Sequence, residues 1–214
     1  MPAGRRHGRP GLVRQAGFSL IELLIGISIR GIRLGMALPG FSEWIRNNQV
    51  RSVAESLREG LQAARSEAVK RNTRVRLQLV TTLDAACALS SAGPYWIVNA
   101  SATVSPAGSC NAAISPTVSP MVVQSSPVTA AVARVTVAAT GGPVVAFDAA
   151  GRRAPTTNPA STATTVFYVD IGSRGGLCPP SGDVRCLRVQ VTSAGEVRMC
   201  DPSKTSATDP ARCY

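Results

Sequence analysis

Hydrophobic positions along the chain change their period twice. Phe18-Ser19-Leu20-Ile21-Glu22-Leu23-Leu24-Ile25-Gly26-Ile27-Ser28-Ile29 is almost wholly apolar, with one acid inside it. Ile29-Arg30-Gly31-Ile32-Arg33-Leu34-Gly35 continues the run with two arginines, and Pro39-Gly40 is expected to interrupt and kink the helix. Beyond Phe41 and Trp44, the residues Val50, Val53, Leu57, Leu61, Ala64 and Ala68 recur at spacings of 3, 4, 4, 3 and 4, one stripe of an amphipathic helix. Arg51, Glu55, Arg58, Arg65 and Glu67 lie mainly off that stripe, and Arg51 and Glu55 form an i,i+4 pair. The helix should stop near Asn72. From there the period becomes two: Val75, Leu77 and Leu79 alternate with Arg74, Arg76 and Gln78, which predicts a half-buried strand. Further strands are predicted at residues 95–98, 133–137, 144–147, 166–171, 188–191 and 197–199. Residues 101–131 read as loops and edge strands, and residues 152–163 and 201–211 as loops. One long helix followed by an antiparallel meander is an α+β chain, with no internal repeat and no second globular domain.

Charge adds a direction to this pattern. Residues 1–17 carry Arg5, Arg6, Arg9 and Arg14 and no acid. A basic segment before an apolar run is an export signal whose charges hold the N-terminus in the cytoplasm. Glu22 does not suit an ordinary signal or a plain anchor, because an acid at the centre of a membrane helix costs ~2.5–3.5 kcal/mol. A secretory signal cut near Met36-Ala37-Leu38, or a simple membrane anchor, leaves Glu22 without a role. Composition removes much chemistry. The chain has 23 basic and 12 acidic residues, and its one histidine is His7. No Ser-His-Asp triad, Cys-His dyad or His-ligated metal can therefore be built downstream of it. Paired carboxylates and a phosphate-binding glycine loop are also lacking, so the reading is of a non-enzyme with no cofactor and no small-molecule substrate.

Gly17-Phe18-Ser19-Leu20-Ile21-Glu22-Leu23-Leu24-Ile25 resembles the N-terminal motif of type IV pilins and type II secretion pseudopilins. The resemblance implies a prepilin peptidase that cuts between Gly17 and Phe18, N-methylation of Phe18, and a register role for Glu22 against the new amine of a neighbouring subunit. Cleavage would remove four of the basic residues and no acid, taking the net charge from +11 to +7. Relatives carry a proline at the position of Pro39. The implied organisation is a leader at residues 1–17, a membrane and filament-core helix at 18–41, an amphipathic half at 42–72 and a periplasmic β-rich domain at 73–214. Such a subunit begins as a single-pass inner-membrane protein and ends in a pilus or pseudopilus among other pilins. Arg30 and Arg33 depart from the apolar pattern of the relatives. Arg33 lies eleven residues past Glu22, about 20° away on the helical wheel, so an Arg33–Glu22 pair between staggered subunits is a hypothesis resting on phase.

Residues 55–72, together with Val144-Val145-Ala146-Phe147-Asp148-Ala149-Ala150-Gly151-Arg152 and Leu187-Arg188-Val189-Gln190-Val191…Gly195-Glu196-Val197-Arg198-Met199-Cys200, resemble the GspH/FimT branch. That branch implies a minor subunit, in a type IV pilus of the FimT/FimU kind or, alternatively, as an H-like pseudopilin in type II secretion. Some FimT-like relatives bind DNA in natural transformation through a Gly-Arg-x-Arg pattern. Here the positions read Gly195-Glu196-Val197-Arg198, with Glu in place of the first arginine. Arg198, Arg152, Arg153, Arg188 and Arg212 are the candidate DNA contacts, with Arg185 nearby in sequence; residues 47–214 hold 16 basic and 10 acidic residues. Gly151 and Gly195 are expected in hairpin turns. The six cysteines fit an oxidising compartment, and chain locality suggests Cys87–Cys110, Cys178–Cys186 and Cys200–Cys213. With no C-x-x-C and no histidine beyond His7, zinc is not expected.

Overall fold

The computed structural model describes residues 19–161 and 166–213. The chain divides into two units, residues 1–41 and residues 42–214. Helix α1 (Leu20–Arg71) begins in the first and ends in the second. It runs through Pro39 and Gly40 without a break. One proline removes a single hydrogen bond, and the turns on either side can continue. The C-terminus falls where expected: Asn72 takes φ 50°, and the N–H groups of Asn72 and Thr73 donate to the carbonyls of Val69 and Ala68. A left-handed residue with these two bonds satisfies the orphan carbonyls of a helix end.

Among the described residues eleven strands follow: β1 (Val75–Val80), β2 (Tyr95–Asn99), β3 (Val122–Ser125), β4 (Val135–Thr140), β5 (Val144–Phe147), β6 (Arg153–Ala154), β7 (Thr156–Thr157), β8 (Ala160–Ser161), β9 (Phe167–Ser173), β10 (Leu187–Val191) and β11 (Val197–Cys200). They form sheets in the orders β3-β2-β1-β5-β6, β11-β10-β9-β4 and β7-β8, with antiparallel pairs throughout. This corrects the single meander. β4 leaves its neighbours in sequence to pair with β9, while β5 returns to β1. Residues 152–163, expected as loop, hold β6, β7 and β8, each two residues long and too short to show a period. The expected edge strand within 101–131 is β3.

The predicted stripe of α1 is the core. Val50, Val53, Leu57, Leu61, Ala64 and Ala68, joined by Ala54, form one buried cluster with side chains from both larger sheets, including Leu77, Phe147, Phe167, Ile171 and Val189. Gly60 lets the helix close on β2, since a Cβ there would lie 2.9 Å from the Trp96 ring. The expected Arg51–Glu55 pair forms at 2.8 Å.

β1 is buried along its whole length rather than on one face. A second cluster of Val80, Cys87, Ile97, Cys110 and Val122 covers part of its other side. Arg76 is fully buried there, donating from Nη1 to the Asn158 carbonyl at 2.9 Å and from Nη2 to that of Val104. Gln78 is buried beside it and donates to Asn99 Oδ1 at 2.8 Å. The alternation of polar residues therefore marked a polar layer under loops, not a solvent face. The three disulfides Cys87–Cys110, Cys178–Cys186 and Cys200–Cys213 match the pairing suggested by locality.

Candidate assembly helix and arginine clusters

Residues 20–35 of α1 are all exposed, among them Leu20, Ile21, Leu23, Leu24, Ile25 and Ile27. A continuous apolar surface of this kind marks contact with lipid or with other helices. Glu22 lies in the first turn. Among the described residues Glu22, Arg30 and Arg33 form no ion pair within the chain. Gly17, Phe18 and the expected leader lie outside the described residues. Among those described, no helix is long and apolar enough to cross a membrane. Hydropathy alone thus does not support the expected span at 18–41, a stretch that also carries Glu22, Arg30 and Arg33.

The candidate DNA-contact arginines separate into groups. Register pairs Arg188 with Asp170 and Cys200, and Gln190 with Tyr168 and Arg198, so these residues share one face of the four-stranded sheet. Arg188 donates from Nε and Nη2 to the two Asp170 oxygens at 2.7 and 2.9 Å and lies 3.8 Å above the Tyr168 ring. The Asp170 hydrogen bonds raise its pKa above the ordinary arginine value, against the opposing effect of burial. Arg198 lies 3.8 Å from Glu196, the acid that replaces the pattern's first arginine. Arg188 also lines an open cleft of about 440 Å³ with Pro202, Lys204, Thr205, Arg212 and Cys213, shaped by the tail that Cys200–Cys213 holds down.

Arg152 and Arg153 line a different cleft of about 370 Å³ with Arg74, Asp148 and Ser193. Asp148 accepts from the Ala150 and Arg152 N–H groups, both at 2.9 Å, and from Arg152 Nε at 3.3 Å. Burial raises its pKa, but these bonds and the Arg152 charge outweigh burial and leave it lowered. Burial lowers the pKa of Arg153, whose Nη1 donates to the Val191 carbonyl at 3.4 Å. Arg185 contacts Asp201 at 3.1 Å. The structure therefore joins Arg188 to Arg212 and Arg152 to Arg153, leaves Arg198 outside both clefts, and sets a carboxylate against most of these cations.

Gly151 and Gly195 both sit in turns with positive φ, 72° and 80°, as hairpin glycines should. Arg74 and Lys204 are the cleft residues that sequence reading passed over. No local spacing links either to its neighbours; only strand pairing and the Cys200–Cys213 link bring them there. Asp170 did carry a signal, since its place between Tyr168 and Ile171 put an acid on the outward face of a predicted strand.

The family model described as type II transport protein GspH matches residues 53–195. Two crystal structures of the type IV minor pilin FimU of Pseudomonas aeruginosa (strain PAO1) are similar. The first is 20% identical, with a TM-score of 0.46, over 80% of this chain and 99% of the other. The second is 18% identical, with a TM-score of 0.45, over 77% of this chain and 99% of the other. No curated protein matches the chain.

Proposed function

The chain belongs to the GspH family, and we propose that it works as a minor pilin or pseudopilin, whose task is assembly rather than catalysis. The observation that carries this reading is the division of labour along α1. Its second half buries an apolar stripe under the two sheets, while its first half leaves its apolar side chains uncovered. The second half is satisfied within the chain; the first needs lipid, and then the helices of neighbouring subunits. In this reading prepilin peptidase cuts between Gly17 and Phe18, Phe18 is N-methylated, and residues 18–41 sit in the inner membrane before assembly. Glu22, Arg30 and Arg33 need polar partners there, which neighbouring subunits supply.

A type IV pilus of the FimT/FimU kind is the favoured machine, supported by the basic domain with its three disulfides; the H-position of a type II secretion system is the alternative. A DNA-binding role in transformation has narrower support, from the cleft where Arg74, Arg152 and Arg153 meet a single carboxylate, Asp148. Co-expression with a prepilin peptidase tests the core of the reading. Mass spectrometry should find a chain beginning at N-methylated Phe18, and Glu22→Leu should be processed yet absent from sheared filaments. A leader left intact beside an active peptidase overturns it. A deletion strain separates the machines: lost pili with intact secretion supports the pilus, and the reverse supports secretion. Loss of transformation alone supports DNA uptake.

A further inference from the structure

One cleft of the β-rich unit is lined by arginines and by no acid, with Glu43 one helical turn from Arg46 outside the lining. Arg46 on α1, Arg134 at the end of the short 3-10 turn Val132–Arg134, and Arg174 just after β9 line one open cleft of about 460 Å³. Val135 pairs with Ser173, so Arg134 and Arg174 are the next pair outward, and the Arg174 N–H donates to the Arg134 carbonyl at 2.9 Å. Like charges placed opposite one another on neighbouring strands are destabilising. Among the described residues none of the three arginines forms an ion pair, in contrast to Arg152, Arg185, Arg188 and Arg198. Arg174 Nε is occupied by the Val135 carbonyl at 3.1 Å. Arg46 Nε is buried with no acceptor at all. A buried donor without a partner and three facing cations define what is missing: an oxyanion with several acceptor oxygens, which guanidinium groups bind in the manner of a phosphate.

Chain position selects the source of that phosphate. The cleft is built on Ser42, Ile45, Arg46 and Gln49, the helical turns that directly follow the apolar segment. Phe41, Trp44 and Ile45 in the same stretch are 59, 61 and 36% exposed. Exposed aromatic rings beside arginines are the signature of a membrane–water interface, where basic residues meet anionic headgroups. We propose that Arg46, Arg134 and Arg174 form a site for the headgroup phosphate of an anionic phospholipid, seating this end of the domain on the membrane surface. The proposal rests on the reading that residues 18–41 enter the inner membrane.

The test uses the full chain in detergent. Native mass spectrometry follows retention of phosphatidylglycerol against phosphatidylcholine, and flotation with vesicles of each lipid runs in parallel. Preferential retention of phosphatidylglycerol is expected, reduced about fivefold in Arg134→Gln and again in Arg46→Gln. Neither side chain carries a hydrogen bond or ion pair among the described residues, so both variants should keep the fold, checked by circular dichroism. Flotation with phosphatidylcholine vesicles reports helix insertion and should not change in either variant. Flotation with both vesicle types but equal retention of the two lipids overturns the site alone, as does a preference that survives both substitutions. A chain that floats with neither vesicle overturns the membrane reading and the site with it. Binding of inorganic phosphate or of a short DNA duplex through the same arginines, without preference for phosphatidylglycerol, overturns the lipid as its occupant.

Discussion

Gly195 and Gly151 meet backbone to backbone: a Cβ on Gly195 would lie 1.9 Å from the Gly151 carbonyl oxygen. The two glycines close different hairpins, β10–β11 and β5–β6, which belong to different sheets. The same carbonyl accepts a hydrogen bond from Arg65 Nε on α1 at 3.0 Å. One contact thus ties helix and both sheets together at a single edge. The glycine retained from the Gly-Arg-x-Arg pattern has a structural duty here that needs no nucleic acid.

Gly195→Ala is expected to destabilise the chain by roughly 3 kcal/mol, combining left-handed strain with the overlap. Gly108→Ala is the comparison, because Gly108 has φ 77° and nothing within 4 Å of an added Cβ. It should cost roughly 1 kcal/mol, the strain alone. Thermal or denaturant unfolding of both variants measures the difference. Equal losses would show that the Gly151 contact contributes nothing.

Arg76 straps two loops onto the outer side of β1 through the carbonyls of Val104 and Asn158. Its Nε is buried without a partner, and burial, followed by the nearby charge of Arg74, lowers its pKa. Replacing a buried, incompletely bonded arginine with an apolar side chain of similar length removes desolvation cost as well as bonds. Arg76→Met should therefore shift the global midpoint little, by about 1 kcal/mol or less. Hydrogen exchange in residues 101–106 and 155–160 should nevertheless accelerate. Unchanged exchange there would remove the strap from the account.

Asp201 is buried and accepts from Ser203 N–H at 3.0 Å, Ser203 Oγ–H at 2.6 Å and Arg185 Nε at 3.1 Å. Burial pushes its pKa up, but the Ser203 bonds and Arg185 prevail, so the folded value lies below the ordinary 3.8. A carboxyl lowered in the folded state contributes stability that is complete above its unfolded pKa and lost as pH falls through the folded value. Melting temperature should hold above about pH 5 and drop below about pH 4. Asp201→Asn should melt lower at neutral pH and show a shallower acid limb. Parallel limbs for the two proteins would assign the acid sensitivity to other groups, of which Asp148 and Glu67 also have lowered pKa values.

The helix and most strands were legible because their signals are local. The spacing of Val50, Val53, Leu57, Leu61, Ala64 and Ala68 names a face, and that face is the buried one. Disulfide pairing was legible for a similar reason, since the separations of 23, 8 and 13 residues join near neighbours in the chain. Burial on β1 was misread at Arg76 and Gln78, because alternation tells which residues share a face and not what covers it. The short strands β6, β7 and β8 carry too few residues for any period.

By itself the sequence determined the basic N-terminal residues, the apolar segment with Glu22, the amphipathic stripe and the α+β class. Each depends on residues within a few positions of one another, where helical or strand geometry alone sets the neighbours. Only the tertiary structure decided that β4 pairs with β9, that Gly195 rests on Gly151, and that Arg188 is held by Asp170 while Arg134 and Arg174 face each other without an acid. Those pairs lie 18 or more residues apart in the chain, and their meeting is set by strand register and by core packing. Beyond i,i+4 pairs on the helix such as Arg51–Glu55, no run of residue types along the chain encodes which charge will find a partner.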